Sequence, residues 1–244
     1  MDIANYQAAA DSLEDRIIMI TGATRGIGKA LAVDAAKLGA TILLIAKDLK
    51  RLEQTYDEIA ALGKAQPAML NIDLESAGAD DYQTVANSVR EEYGRIDGLV
   101  HNAARVGGLT PLHQTDVALW SKLVTLHIHA PFLLTRACLP LLKQSKDQSI
   151  IFSIDEARKA YWGAYGVSKA GQASLMNILA EELDGDQKIR VNGIHPGPVR
   201  THLRTHNYPG LNPNEFPAAE DVTAPYLYFL SDDSKEITAQ LFCV

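Results

Sequence analysis

Cysteine is scarce in this chain, whose 244 residues include two, Cys138 and Cys243. Two cysteines cannot build the disulfide framework of a small secreted protein, and they suit a reducing compartment. The first residues lack the basic and apolar pattern of a signal peptide, and no apolar run reaches the ~20 residues that cross a bilayer. These absences predict a cytoplasmic protein with no membrane partner.

The chain also has fewer basic than acidic residues. The chain has 23 Lys and Arg against 30 Asp and Glu, a net charge of −7, so no nucleic-acid-binding face is expected. Internal repeats, low-complexity tracts and linker-like stretches are absent as well. With 47% hydrophobic residues the chain can bury one large core, which predicts a single domain over 1–244 with a polar lead at 1–14.

What the chain does contain is an alternation of apolar strands and amphipathic helices. The predicted strands cover residues 17–21, 41–46, 65–71, 98–101, 149–153, 190–194 and 239–243. The predicted helices cover residues 27–38, 49–62, 78–93, 116–143 and 162–183. This alternation predicts an α/β fold with a doubly wound, mostly parallel seven-stranded sheet and helices on both faces. Ligands of such sheets bind outside the carboxyl ends of the strands.

A glycine-rich turn, TGATRGIG at residues 21–28, follows the first predicted strand and opens the first helix. Glycines at Gly22, Gly26 and Gly28 allow a sharp turn and a close approach to phosphate groups. The unpaired N–H groups and positive dipole of a helix start can hold a diphosphate there. An ordinary surface loop has the same composition, so the turn alone does not decide between the two.

A tyrosine and a lysine four residues apart, Tyr165 and Lys169, lie at the start of the helix predicted at 162–183. This spacing places both side chains on one helical face. A nearby ammonium favours the phenolate, so the pKa of Tyr165 is expected below its reference of about 10. A tyrosine tuned in this way suits proton transfer to or from an alcohol oxygen, although an ordinary surface pair has the same spacing.

Together with three further segments, these motifs resemble the short-chain dehydrogenase/reductase family of the compact single-domain type, over about residues 15–241. The matching segments are TGATRGIG (21–28), NID (71–73), HNAA (101–104), YGVSK (165–169) and HPGPVRT (195–201). Within the family, residues 161–171 resemble bacterial oxidoreductases of the YciK type more than the fatty-acid ketoreductases. The resemblance implies a Rossmann-type fold and hydride transfer between a nicotinamide and a small or medium carbonyl or alcohol substrate. Neither the substrate nor the direction follows from it.

The resemblance also implies roles for individual residues. Asp73 lies where the family places an aspartate against the adenine, and Lys169 where it holds the nicotinamide ribose and assists Tyr165 as general acid/base. The expected cofactor-binding residues are Gly22, Arg25, Gly26, Ile27, Gly28, Lys47, Asp73, Asn102, Ala103, Tyr165, Lys169, Pro196, Val199 and Thr201. Lys47 and Arg25 near the adenosine ribose favour NADP, whereas Asp48, one residue further on, keeps NAD open.

Two positions depart from the family pattern. The family's substrate-binding serine corresponds to Ser153 when counted back from Tyr165, and to Ile154 or Asp155 when aligned from the strand; Ser153 is the expected catalytic residue. His127 replaces the family's proton-relay asparagine. These departures leave an alternative open, an NADP(H)-binding protein with little or no catalysis that acts as a sensor or an oligomeric partner.

The remaining expectations concern the surface of the protein. Residues 201–217 lie where the family carries its substrate lid, and the family's dimers and tetramers imply a homodimer or higher homo-oligomer. No metal site is expected at the two histidine pairs. His127 and His129 are two residues apart on a predicted helix and diverge, whereas His202 and His206 lie in a proline-bearing loop without a partnered glutamate or cysteine.

Overall fold

The computed structural model describes residues 2–185 and 188–244, and its centre is a seven-stranded sheet. The strands are β1 (Ile17–Thr21), β2 (Thr41–Ala46), β3 (Ala68–Asn71), β4 (Gly98–His101), β5 (Gln148–Ser153), β6 (Ile189–His195) and β7 (Leu241–Cys243). Their order is β3-β2-β1-β4-β5-β6-β7, and every neighbouring pair is parallel. The predicted doubly wound fold is confirmed, with a sheet that is parallel throughout.

Burial along the strands follows their position in the sheet. All residues of β1, β4 and β5 are buried, because helices cover both faces of these central strands. The edge strands β3 and β7 are partly exposed. Both edge strands begin later than the sequence indicated, at Ala68 and Leu241.

Eight α-helices connect or follow the strands in the described part of the chain. They are α1 (Gly26–Lys37), α2 (Leu49–Ala60), α3 (Ala79–Tyr93), α4 (Val117–Val124), α5 (Ala130–Leu142), α6 (Gly163–Glu182), α7 (His202–Asn207) and α8 (Ala224–Leu230). Helices α3, α5 and α6 pack into the core on one face of the sheet, and α1, α2 and α8 into the core on the other. The sequence analysis did not predict α7 and α8.

A π turn at Thr125–His129 joins α4 to α5, so that one continuous helix runs from Val117 to Leu142. In the described residues this is the one helix long and apolar enough to cross a membrane, with a mean hydropathy of 1.3 over its best window. The sequence analysis found no such run, because Lys122 and Arg136 interrupt it. Residues such as Leu134 and Leu141 pack into the core of the sheet, as in a core helix of a globular domain.

Candidate active site

The strand order reverses between β1 and β4, and this reversal opens a crevice at the carboxyl ends of these two strands. The turn after β1 and the segment after β4 form its two sides. They are joined by Asn102, whose backbone N–H donates to the Thr21 hydroxyl over 2.9 Å and whose side chain donates to the Thr21 carbonyl over 3.0 Å. The Ala103 N–H donates to the same hydroxyl over 3.1 Å. Asn102 and Ala103 therefore lie at the crevice, where the sequence analysis expected them.

The glycine turn depends on its missing side chains. Gly22 has a φ of +70°, and a Cβ there would lie 2.9 Å from the Cα of Ala103. A Cβ on Gly28 would lie 2.4 Å from the Asn102 side-chain nitrogen and from the Gly22 carbonyl oxygen. Gly26, with a φ of +54°, lies against Thr201 from the segment after β6. The turn thus allows three segments of the site to approach each other closely.

The start of α1 has the features that a diphosphate requires. Its N-cap residue, Arg25, makes no side-chain capping hydrogen bond, and the first turn contains no acidic residue. In contrast, Asp48 caps α2 and Thr201 caps α7. The first N–H groups of α1 and the positive end of its dipole therefore remain available to an anion. The residues present fit the diphosphate of a dinucleotide.

Two carboxylates surround Lys47 at the end of β2. Its ammonium lies 3.2 Å from Glu75 and 3.7 Å from Asp73. Glu75 also pairs with Arg105 at 3.2 Å, so it bridges two cations on either side of the crevice. The sequence analysis missed Glu75, which lies two residues after the NID segment and belongs to no motif that predicts a functional role. Asp48 accepts a hydrogen bond from the Arg51 N–H as the helix cap, which turns it toward its own helix.

The segment after β6 returns toward the glycine turn. Val199 is buried and packs with Ile27 of α1, whereas Pro196 is partly buried directly after the strand. Further along this segment, His202 lies 3.4 Å from Arg25, and its ring stacks on that of His206. The pKa of His202 lies below its usual value because of partial burial and the charge of Arg25. Within residues 2–185 and 188–244, no group of three His, Cys, Asp or Glu side chains could hold a metal ion.

Lys169 is almost fully buried on α6. Its ammonium donates to the Ser153 carbonyl and to the Gln172 side-chain oxygen, both over 2.8 Å. Burial lowers the pKa of Lys169 to about 8, and the negative charge of Asp155 partly opposes this effect. A buried ammonium held by two acceptors has a fixed position at the end of β5.

Tyr165 lies one helical turn before Lys169, and its hydroxyl donates to the Asp155 carboxylate over 2.7 Å. Burial of the phenol and the adjacent Asp155 raise the pKa of Tyr165 well above its usual value. The sequence analysis expected a lowered pKa of Tyr165, and that expectation is wrong. It considered the ammonium alone, whereas burial and a carboxylate at hydrogen-bond distance act in the opposite direction.

The Ser153 hydroxyl is engaged away from Tyr165. It hydrogen-bonds the Tyr226 hydroxyl at 2.9 Å and donates to the Asn102 side-chain oxygen over 3.5 Å. Ile154 is buried in the apolar core. Of the three alternatives for the family's serine position, Asp155 is therefore the one that contacts the Tyr165 hydroxyl. Because side chains alternate along β5, the Ser153 hydroxyl lies on the face of α8, against Tyr226, and the structure does not bring it together with the Tyr165 hydroxyl.

His127 occupies the π turn and is fully buried. Its Nε2 accepts a hydrogen bond from the Arg105 N–H over 3.3 Å, so its Nδ1 carries the proton and donates to the Ser168 hydroxyl over 2.8 Å. Ser168 in turn donates to the Tyr165 carbonyl. Burial and the charge of Lys169 hold the pKa of His127 well below its usual value. His127 is thus a neutral residue that fixes the start of α6.

Aromatic and aliphatic side chains surround the Tyr165 ring. The Trp162 ring lies 5.5 Å from that of Tyr165 and 6.2 Å from that of Tyr208, directly after α7. The same cluster includes buried Val106 and Leu123. The Tyr165 ring is therefore packed mainly among apolar and aromatic side chains, while its hydroxyl contacts the Asp155 carboxylate.

Comparison with known proteins places the chain in the class that this fold and site define. The family model for short chain dehydrogenases matches residues 16–211, and the chain belongs to that family. It is accordingly a short-chain dehydrogenase/reductase, an oxidoreductase that uses a nicotinamide cofactor.

Particular relatives extend over nearly the whole chain. The oxidoreductase YciK of Escherichia coli is 34% identical over 241 residues, which cover 98% of this chain and 95% of YciK. A short chain dehydrogenase structure from Pseudomonas syringae is 41% identical, with a TM-score of 0.95 and 98% coverage of both chains. An Escherichia coli CFT073 structure solved with NADPH is 34% identical, with a TM-score of 0.92 over 97% of this chain and 99% of the other. The resemblance found from the sequence is confirmed.

Proposed function

We propose that this protein transfers hydride between NADP(H) and a small or medium carbonyl or alcohol substrate, with Tyr165 as the general acid/base. The observation that carries the proposal is the meeting of two side chains at the end of β5. The Lys169 ammonium binds the carbonyl of Ser153, and the Tyr165 hydroxyl binds Asp155 two residues later. This pair lies at the carboxyl ends of the parallel strands, the same end of the sheet as the glycine turn that opens α1.

The cofactor, when bound, supplies the hydride and its reactive ring. Tyr165 donates its phenolic proton to the carbonyl oxygen during reduction and takes it back during oxidation. Lys169 places a positive charge at the end of β5, where it stabilises the phenolate that remains after proton transfer. The apolar surroundings of Tyr165 exclude water and strengthen these electrostatic interactions.

NADP(H) is the proposed cofactor because two basic residues, Lys47 directly after β2 and Arg25 in the glycine turn, are available to neutralise a ribose 2′-phosphate. A structural relative solved with NADPH supports this choice. Lys47 is partly neutralised by Glu75, so the phosphate must compete with that carboxylate. Calorimetric titration is expected to give tighter binding of NADPH than of NADH. Tighter binding of NADH would contradict the assignment.

The experiment that tests the function combines turnover with binding. The wild type should oxidise NADPH in the presence of aldehydes and ketones. Tyr165→Phe should lower turnover by about 10²–10⁴-fold while leaving NADPH affinity within about twofold. Unchanged turnover in Tyr165→Phe would refute the role of this phenol.

A binding protein with little catalysis is the second candidate. One observation favours it, namely that the Tyr165 hydroxyl is engaged with Asp155 and not free. Tight NADPH binding without turnover of any carbonyl compound or alcohol would support this function instead.

We also propose a homodimer located in the cytoplasm. Large apolar side chains are exposed on the outer faces of α5 and α6, notably Phe132, Val167 and Ile178. Covering such residues by a second copy would remove apolar area from water. Both cysteines are free, which suits a reducing compartment. Light scattering of Phe132→Glu against wild type tests the interface; a wild type that is monomeric at high concentration would refute it.

A further inference from the structure

Asp155 depends on Tyr165 for its hydrogen bond. In the described part of the chain, the Tyr165 hydroxyl is the one group that hydrogen-bonds the Asp155 carboxylate, over 2.7 Å. No lysine, arginine or histidine among these residues lies within salt-bridge distance of it. Asp155 is partly buried, and the Tyr165 ring that it contacts packs in an apolar and aromatic cluster. The carboxylate thus has a single hydrogen-bond partner in the described residues, and the charge of Lys169 acts on it from beyond salt-bridge distance.

During catalysis, Asp155 loses its hydrogen bond from the Tyr165 hydroxyl. A phenol has one O–H, and during reduction Tyr165 must direct it to the substrate carbonyl oxygen. The Asp155 carboxylate is then without a donor in a partly buried site, which is unfavourable unless the substrate supplies one. A simple ketone has no such donor, whereas a substrate with a hydroxyl group near the carbonyl has one.

We propose that the substrate class is α-hydroxy carbonyl compounds, and vicinal diols in the oxidative direction. The carbonyl oxygen accepts the hydrogen bond of Tyr165 while the adjacent hydroxyl donates to Asp155. The two oxygens of an α-hydroxy carbonyl lie apart by roughly the length of one O–H···O hydrogen bond, which matches the 2.7 Å between the Tyr165 and Asp155 oxygens. This inference rests on the function proposed above.

The chemical step is balanced without a further reactant. The carbonyl carbon receives a hydride and its oxygen receives the Tyr165 proton, so the ketone becomes a secondary alcohol while NADPH is oxidised to NADP⁺. The neighbouring hydroxyl keeps all its bonds and serves only in recognition. Asp155 is therefore a substrate-binding residue that recognises the hydroxyl group next to the carbonyl group being reduced.

The test compares 2-hydroxyacetophenone with acetophenone, two aromatic ketones that differ by this hydroxyl and that suit the aromatic surroundings of Tyr165. The ratio of kcat/KM for the two ketones is measured with NADPH. The ratio of their reduction rates by borohydride provides the intrinsic difference in reactivity. The variants are Asp155→Ala, which removes the acceptor, and Asp155→Asn, which keeps an amide oxygen as acceptor. Glu156→Gln is the matched control, an exposed acid next in the chain.

The wild-type ratio is expected to exceed the borohydride ratio by at least about tenfold, because a site built to bind a hydroxyl discriminates against the analogue that lacks it. Asp155→Ala should bring the ratio to within about threefold of the borohydride value. Asp155→Asn should retain part of the preference, and Glu156→Gln all of it. NADPH titration checks that each variant is folded.

The outcomes separate the two proposals. If the wild type reduces both ketones at the borohydride ratio, or if Asp155→Ala keeps the wild-type ratio, the role of Asp155 is refuted and the oxidoreductase function stands. If the wild type binds NADPH but turns over no carbonyl compound in a broad panel, the proposed function is refuted and this inference with it.

Discussion

Gly28→Ala tests the assembly of the crevice most directly. The added Cβ would lie 2.4 Å from the Asn102 side-chain nitrogen and 2.4 Å from the Gly22 carbonyl oxygen, about 1 Å inside ordinary contact. The backbone oxygen cannot move without opening the turn. The Asn102 amide can move only by giving up its hydrogen bond to the Thr21 carbonyl.

The expected magnitude follows from these contacts. Overpacking of one carbon costs about 1–3 kcal/mol, and the loss of one hydrogen bond adds about 0.5–1.5 kcal/mol. Alanine is favoured over glycine within a helix by about 0.5–1 kcal/mol, which offsets part of the loss. The free energy of unfolding should therefore fall by about 2 kcal/mol, which lowers Tm by about 4–8 °C for a chain of this length.

The assay combines thermal unfolding with NADPH titration. Gly185→Ala is the control, because no heavy atom of the described residues lies within 4 Å of a Cβ built on Gly185 and its φ is not left-handed. We expect the control to stay within about 0.5 kcal/mol of the wild type. We expect Gly28→Ala to bind NADPH at least about tenfold more weakly, since relief of the clash opens the turn and displaces the first N–H groups of α1 that would bind the diphosphate. Equal Tm and equal affinity for Gly28→Ala and wild type would refute the close packing of this turn.

Three further predictions concern charged groups. Because burial lowers the pKa of Lys169 to about 8, ketone reduction should be level below about pH 8 and fall above it, as the ammonium loses its proton; a pH–rate profile measures this. Asp147→Ala should lower the free energy of unfolding by about 3–5 kcal/mol in urea, because Arg190 is buried against that carboxylate. Lys47→Ala should weaken NADPH binding by about tenfold and leave NADH binding unchanged, as calorimetry would show.

Each of these predictions has a contrary outcome. A reduction rate that stays level to pH 10 would contradict the assigned state of Lys169. For the buried pair, Glu58→Ala provides the comparison, because its exposed ion pair with Lys29 contributes about 0–1 kcal/mol. An effect of Asp147→Ala no larger than that of Glu58→Ala would contradict the structural role of Arg190. Equal losses for both cofactors in Lys47→Ala would contradict a contact with the 2′-phosphate.

Most of the fold could be predicted from the sequence because its strands are continuous apolar runs between helical patterns. The bounds of β1, β2 and β4 agree with the prediction to the residue. Helix α8 was missed because six of its seven residues are buried, which removes the amphipathic pattern that identifies a surface helix. The π turn at Thr125–His129 was missed because helical periodicity does not distinguish a π turn from an α turn.

The sequence indicates which residues of the candidate site share one helix face, but not which side chains from other segments they contact. Tyr165 and Lys169 are four residues apart, so local geometry alone places them on one helix face. The neighbour of the Tyr165 hydroxyl depends on how the chain leaves β5, which a sequence pattern does not determine. Counting residues selected Ser153, whereas the path of the chain brings Asp155 to the phenol. Glu75 was missed for the same reason, since its two cation partners come from distant segments.

The order of the strands affects how early β1 can pair on both sides in the nascent chain on the ribosome. Strand β1 is made early and can pair at once with β2, but its other neighbour, β4, begins at Gly98, 77 residues after β1 ends at Thr21. Until then, one side of a buried strand that is apolar except for Thr21 has no partner, and such an open edge can pair with other chains. The same reversal that provides the finished enzyme with its crevice therefore leaves its central strand unprotected during synthesis.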